Sequence, residues 1–127
     1  MDYITKEDIY RLLSIGELEL KSTHKKLCLP IINRIYRKMK IGFKFSGISV
    51  CDNIIINGHH RYLASLLSTT SIDRTPTLKP SNIILINWDE IEYIDDDIES
   101  EERIIEHNIT DAHFNGLSLE KLNELLK

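Results

Sequence analysis

At 127 residues the chain has the length of one domain with a single modest core. Its 42% hydrophobic content includes no run long enough to span a membrane, and Met1 to Lys6 has no basic stretch leading into a long apolar one. A cytoplasmic protein, neither secreted nor membrane-spanning, is therefore expected. The net charge of −4 conceals a polarity: Lys21 to Lys44 holds eight Lys or Arg and no acid, whereas Asp89 to Glu106 holds ten acids against Arg103 alone.

The basic block could meet nucleic acid or a nucleotide's phosphates. The acidic block, residues 89–106, could mimic an anion or meet a basic protein partner, and both blocks read equally well as solvated faces of one dipolar domain. Cys28 and Cys51 lack C-x-x-C spacing; they indicate neither a disulfide framework nor a zinc site and read as small buried hydrophobes.

Thr5, with Asp8 three positions on, predicts the start of a short helix carrying Ile9, Leu12 and Leu13 and ending near Gly16. Glu17 to Lys21 alternates charged and apolar residues as a half-exposed strand does. Ile31, Ile35 and Met39 recur every four residues with Arg34, Arg37, Lys38 and Lys40 between them, which predicts an amphipathic helix with a basic outer face; Pro30 suits its first position. Phe43 to Ser46 is a connection whose aromatics either pack on the core or line a pocket. Ile48 to Val50 and Ile54 to Ile56 read as strands across a turn at Cys51-Asp52-Asn53.

Ser68 to Ser81, rich in Thr, Ser and Pro, reads as a long surface loop. Asn82 to Trp88 is nearly all apolar and predicts a central strand covered on both faces. Two helices are expected at the end, about Glu99 to His107 and Ser118 to Leu126, broken at Asn115-Gly116 and appended to the domain from about residue 98. Tyr36, His107 and His113 have no evident partner and read as structural.

The stretch richest in chemistry is Asn57-Gly58-His59-His60-Arg61-Tyr62, between the apolar run Ile54 to Ile56 and the amphipathic Leu63 to Leu67. A strand there would turn at Gly58 into a helix, and the free N–H groups and positive dipole end of that helix, with Arg61, would collect an anion such as phosphate. A two-residue hairpin at Asn57-Gly58 competes with this reading, but Tyr62, Leu63, Leu66 and Leu67 follow with helical rather than alternating spacing. A metal site competes less well, since adjacent histidines on a helix diverge and no H-E-x-x-H is present.

The Gly58-His59-His60-Arg61 signature, set between a strand and a helix, resembles the nucleotide-binding motif of the ParB/sulfiredoxin superfamily. The resemblance takes in about half the chain. It implies a single α/β (α+β) domain, residues 1–127, with a small mixed sheet and surrounding helices. It also implies a nucleotide (ATP, ADP or CTP) held by Asn57, Gly58, His59, His60 and Arg61, and leaves magnesium open as a companion in phosphate chemistry, with no metal ligand expected from the chain. Sulfiredoxins place a reactive cysteine where His59 stands here, so their thiol chemistry is not expected, and the chain has no room after Trp88 for the DNA-binding domain of partition proteins.

The free serine kinases come closest in motif, with Asp-Gly-His-His-Arg, and carry an upstream glutamate as general base. Here Asn57 stands in place of the aspartate, and Glu17 and Glu19 lie in roughly the glutamate's place. On that pattern Glu17 or Glu19 would be the base and His60 a proton donor or phosphate ligand, for hydrolysis or for transfer to a small acceptor. The alternatives are a ParB-like nuclease or nucleic-acid-binding protein, including a toxin, using Lys21 to Lys44, and a noncatalytic interaction module.

Overall fold

The computed structural model describes residues 3–127. Thr5 opens helix α1 (Lys6–Ile15) through a capping box: its hydroxyl accepts from the Asp8 N–H, while the Asp8 carboxylate accepts from the Thr5 N–H at 2.8 Å. Strand β1 (Lys26–Cys28) runs directly into α2 (Leu29–Lys40), where Pro30 lies in the first turn and forfeits no intrahelical bond. Strands β2 (Ile48–Cys51) and β3 (Ile54–Asn57) form an antiparallel hairpin, with Asp52 in its turn at φ 54°. Gly58 alone separates β3 from α3 (His59–Ser68). Strands β4 (Arg74–Pro76) and β5 (Glu92–Ile94) and helices α4 (Glu101–Phe114) and α5 (Leu119–Leu125) complete the chain.

The fold is mixed α/β. The order β3-β2-β4, with β4 parallel and β3 antiparallel to β2, makes a small mixed sheet, and β1 and β5 pair in parallel beside it. Ile32, Tyr36 and Met39 of α2 pack with Leu63 and Ala64 of α3 and with Leu27 and Tyr93 from the parallel pair. Ile48 and Val50 of β2 and Ile55 of β3 form a second buried cluster with Leu20 and Tyr62. A third, smaller cluster of Phe43, Ala112 and Leu122 seats the α4–α5 hairpin, whose helices are capped by Ser100 and Ser118 and separated at Asn115-Gly116.

Four expectations need correction. In Glu17 to Lys21 only Lys21 joins the sheet, through a bridge to Ile54; Leu18 and Leu20 turn inward as the alternation suggested, but among the described residues no backbone pairs with Glu17 to Leu20 as a strand. Asn82 to Trp88 is no central strand: a single bridge from Ile86 to Ser22 ties it to the edge, Ile84 and Leu85 are 67% and 48% exposed, and Trp88 starts a 3-10 turn. Hydrophobicity alone cannot supply a second pairing partner, and β2 already holds the centre. The Ser68 to Ser81 loop contains β4, whose Pro76 is tolerated because β4 is an edge strand. Finally, the basic face of α2 does not all point outward. Lys38 is 3% exposed and donates to the Asp111 carboxylate of α4 at 2.7 Å, and Arg34 pairs with Asp97 and Glu99. Lys38 of α2 thus meets Asp111 of α4 inside the molecule, and this pair adds to the Phe43, Ala112 and Leu122 cluster in seating α4.

Candidate functional site

Gly58 takes φ 108°, ψ 27°, a left-handed conformation that L side chains resist. A Cβ there would lie 2.5 Å from Ile48 Cγ2, so glycine is required by both torsion and space. The turn sends the chain from β3 directly into α3, which has no side-chain cap. The N–H groups of His59, His60 and Arg61 find no acceptor among the described residues, and the first bond of the helix runs from the Tyr62 N–H to the Gly58 carbonyl at 2.9 Å. The Tyr62 hydroxyl accepts from the Leu20 N–H at 3.2 Å, fixing the motif against the segment that leads into Lys21.

The two histidines are held in one tautomer each by main chain. His59 Nε2 accepts from the Thr23 N–H and His60 Nε2 from the Cys28 N–H, both at 3.0 Å, so each neutral ring carries its proton on Nδ1. Burial, reinforced by neighbouring histidines, pushes His59 down to about 3; burial and His24 push His60 down to about 4. Both are therefore uncharged at neutral pH. His60 is a hydrogen-bond donor there rather than the acid of a proton-transfer step. His59 is 1% exposed, and its Nδ1 is a buried side-chain polar atom with no partner among the described residues. His24 stacks on it at 3.9 Å between centroids.

Arg61 Nη1 donates to the Ser46 carbonyl at 2.9 Å, the Ser46 hydroxyl at 2.8 Å and the Gly47 carbonyl at 3.3 Å. All three acceptors are neutral, and among the described residues no carboxylate pairs with this guanidinium; burial lowers its pKa, and the more distant Asp111 charge raises it. Gly58, His59, His60, Arg61 and the exposed Asn57 line one wall of a cavity of ≈ 390 Å³. Ile31, Ile35, Phe45 and Ile104 give it an apolar side. Phe43 meanwhile packs in the core, so the two aromatics of that connection divide the alternatives between them.

Glu17 and Glu19 take no part in this cavity. Glu17 lines a separate one of ≈ 580 Å³ beside Leu20 and Trp88, and Glu19 is exposed and paired with Arg74. The carboxylates that do reach the motif cavity come from the last quarter of the chain: Glu99, 2.9 Å from His107 Nε2, and Asp111, bound to Lys38. Sequence reading missed Lys38, Glu99, His107 and Asp111 because nothing local to them says that α4 folds back over α2. For Glu99 the one available signal was the charge complementarity of the two blocks, which its pair with Arg34 realises; Asp111 lies beyond the acidic block. Among the described residues no three His, Cys, Asp or Glu side chains converge as a metal-binding group, so magnesium would have to arrive on a ligand's phosphates rather than in a protein cage.

Comparison with known proteins finds no matching family model, curated protein or solved structure. The ParB/sulfiredoxin resemblance accordingly rests on the motif residues themselves.

Proposed function

We propose that the protein binds a phosphorylated small molecule, a nucleotide being the leading class, with the phosphate seated on the first turn of α3. The observation that carries this reading is the convergence of donors that lack an acceptor or, for Arg61, a counter-charge. Three free main-chain N–H groups, the unpartnered Nδ1–H of His59 and a guanidinium with no carboxylate partner are supplied by one five-residue turn on one cavity wall. An anion with several oxygens satisfies such a set, and a helix N-terminus favours it electrostatically.

Phosphate hydrolysis or transfer would additionally need a base beside the acceptor. Glu17 and Glu19 lie away from the cavity, and Glu99 and Asp111 are engaged in ion pairs, so binding is the function this site supports best. The nucleic-acid reading is weaker, because Arg34 and Lys38 are neutralised internally and Arg37 donates to the Leu126 carbonyl. The test is thermal denaturation with inorganic phosphate and with nucleotides, since a ligand of the folded state raises apparent stability. Stabilisation that disappears in Arg61→Ala is expected; no stabilisation by any phosphate compound would overturn the reading.

A further inference from the structure

We infer that the ligand carries a single phosphoryl group on an apolar or flat body, as a nucleoside monophosphate does, and that nucleoside triphosphates are disfavoured. This rests on the reading of α3 as the phosphate seat and specifies what that seat accepts.

The argument is a count of charges around the cavity. Three cations reach it: Arg34, Lys38 and Arg61. Arg34 is held by both Asp97 and Glu99, and Lys38 by Asp111 at 2.7 Å with only 4% of its side chain exposed. That leaves Arg61 as the cation without a carboxylate among the described residues lining the cavity, together with the partial charge of the helix terminus, about half an elementary charge. His59 and His60 add donors but no charge. One phosphate monoester, carrying between one and two negative charges, matches this field. A triphosphate chain would bring its further charges against Glu99 and Asp111, whose counter-cations are already engaged.

The rest of the cavity has the opposite character. Ile31, Ile35, Phe45 and Ile104 offer a half-buried apolar surface across from the donors, suited to an uncharged ring system rather than to more phosphate. The cavity's ≈ 390 Å³ falls within the roughly 300–1,000 Å³ typical of small-molecule sites, more than a bare phosphate needs. His59, 1% exposed, lines the same cavity and leaves its Nδ1–H without a partner among the described residues, a donor that a polar ligand would satisfy.

The experiment is calorimetric titration of the intact protein with inorganic phosphate, ribose 5-phosphate, and adenosine and cytidine mono-, di- and triphosphates, each with and without magnesium chloride. A nucleoside monophosphate is expected to bind at least tenfold more tightly than the matching triphosphate and than ribose 5-phosphate, and Phe45→Ala is expected to erase only the second difference. Triphosphates binding as tightly or more tightly, or ribose 5-phosphate equalling the nucleotide, would overturn the inference while leaving Arg61-dependent phosphate binding standing. If neither phosphate nor any ester binds, the seat itself fails and the inference with it.

Discussion

The ring of His24 lies nearly flat on that of His59, with centroids 3.9 Å apart and planes 19° from parallel. Two imidazoles so placed cannot both take a proton cheaply, and burial of His59 and His60 adds to the penalty. Their folded pKa values, about 3 and about 4, lie below the ordinary 6.5, so between those limits the unfolded chain binds more protons than the folded one. The stability they contribute is complete above pH 6.5 and is lost as pH falls toward 4 and 3. Unfolding free energy from urea titrations should fall by up to ~2 kcal/mol per ring between pH 7.5 and 5. The carboxyls of Asp8 and Asp97, held low by hydrogen bonds from Thr5 and Arg34, add their losses only at lower pH. His59→Gln keeps an acceptor for the Thr23 N–H, and a pH slope no flatter in this variant would refute the assignment.

Gly58→Ala should be among the most damaging single-methyl additions to this protein. It forces an L side chain to φ 108° and drives a methyl group into Ile48. Backbone strain of about 1–3 kcal/mol and overpacking of similar size apply together. A loss of ~2–5 kcal/mol by denaturant titration is expected, and a midpoint unchanged within error would contradict the turn geometry.

Removing the Arg61 side chain takes three hydrogen bonds from the Ser46-Gly47 connection without stranding a buried carboxylate. Arg61→Ala should therefore cost about 1–2 kcal/mol of stability, between an exposed substitution and a broken buried ion pair. Phosphate affinity should drop by about 1.5–3 kcal/mol, the worth of a hydrogen bond to a charged group. Arg61→Lys should restore little of either, because one ammonium cannot hold the Ser46 carbonyl and also reach the cavity. Parallel unfolding and binding measurements on both variants decide it.

Two ion pairs in this protein should behave very differently. Asp111→Ala leaves the nearly inaccessible Lys38 ammonium without its partner, and a loss of ~3–5 kcal/mol is expected, with loosening of the α4–α5 hairpin visible as faster amide exchange. Glu19→Gln breaks an exposed pair with Arg74 and should leave the unfolding midpoint where it was. Equal effects from the two variants would show that burial does not govern the pairing.

Local chemistry made much of this fold readable. The capping box at Thr5 and Asp8, Pro30 at the start of α2, the turn before Ile54 and the strand-Gly-helix passage at Gly58 each depend on residues close in sequence, and the chain forms all of them. Failures arose where a distant partner decides. Asn82 to Trp88 has the composition of a strand but, among the described residues, forms a β-bridge only with Ser22, and Lys38 occupies a position that looks like solvent until Asp111, 73 residues later, arrives beside it. The donor half of the site was legible because one turn supplies it. The half contributed by α4 was not, since tertiary pairing of charge leaves no periodic signature in either segment.

The tautomers of His59 and His60 have a consequence for how such a receptor would respond to acidity. In an ordinary histidine site, falling pH adds positive charge and anions bind more tightly. Here the acceptor nitrogen of each ring is consumed by a main-chain N–H, so gaining a proton means breaking that bond. Over the physiological range these two rings stay neutral, so neither would add charge to a phosphate seated on the turn. A phosphate monoester changes its own charge near pH 6, at a second pKa of about 6, so on the proposed reading this change in the ligand, rather than any at His59 or His60, would alter how tightly the turn holds it.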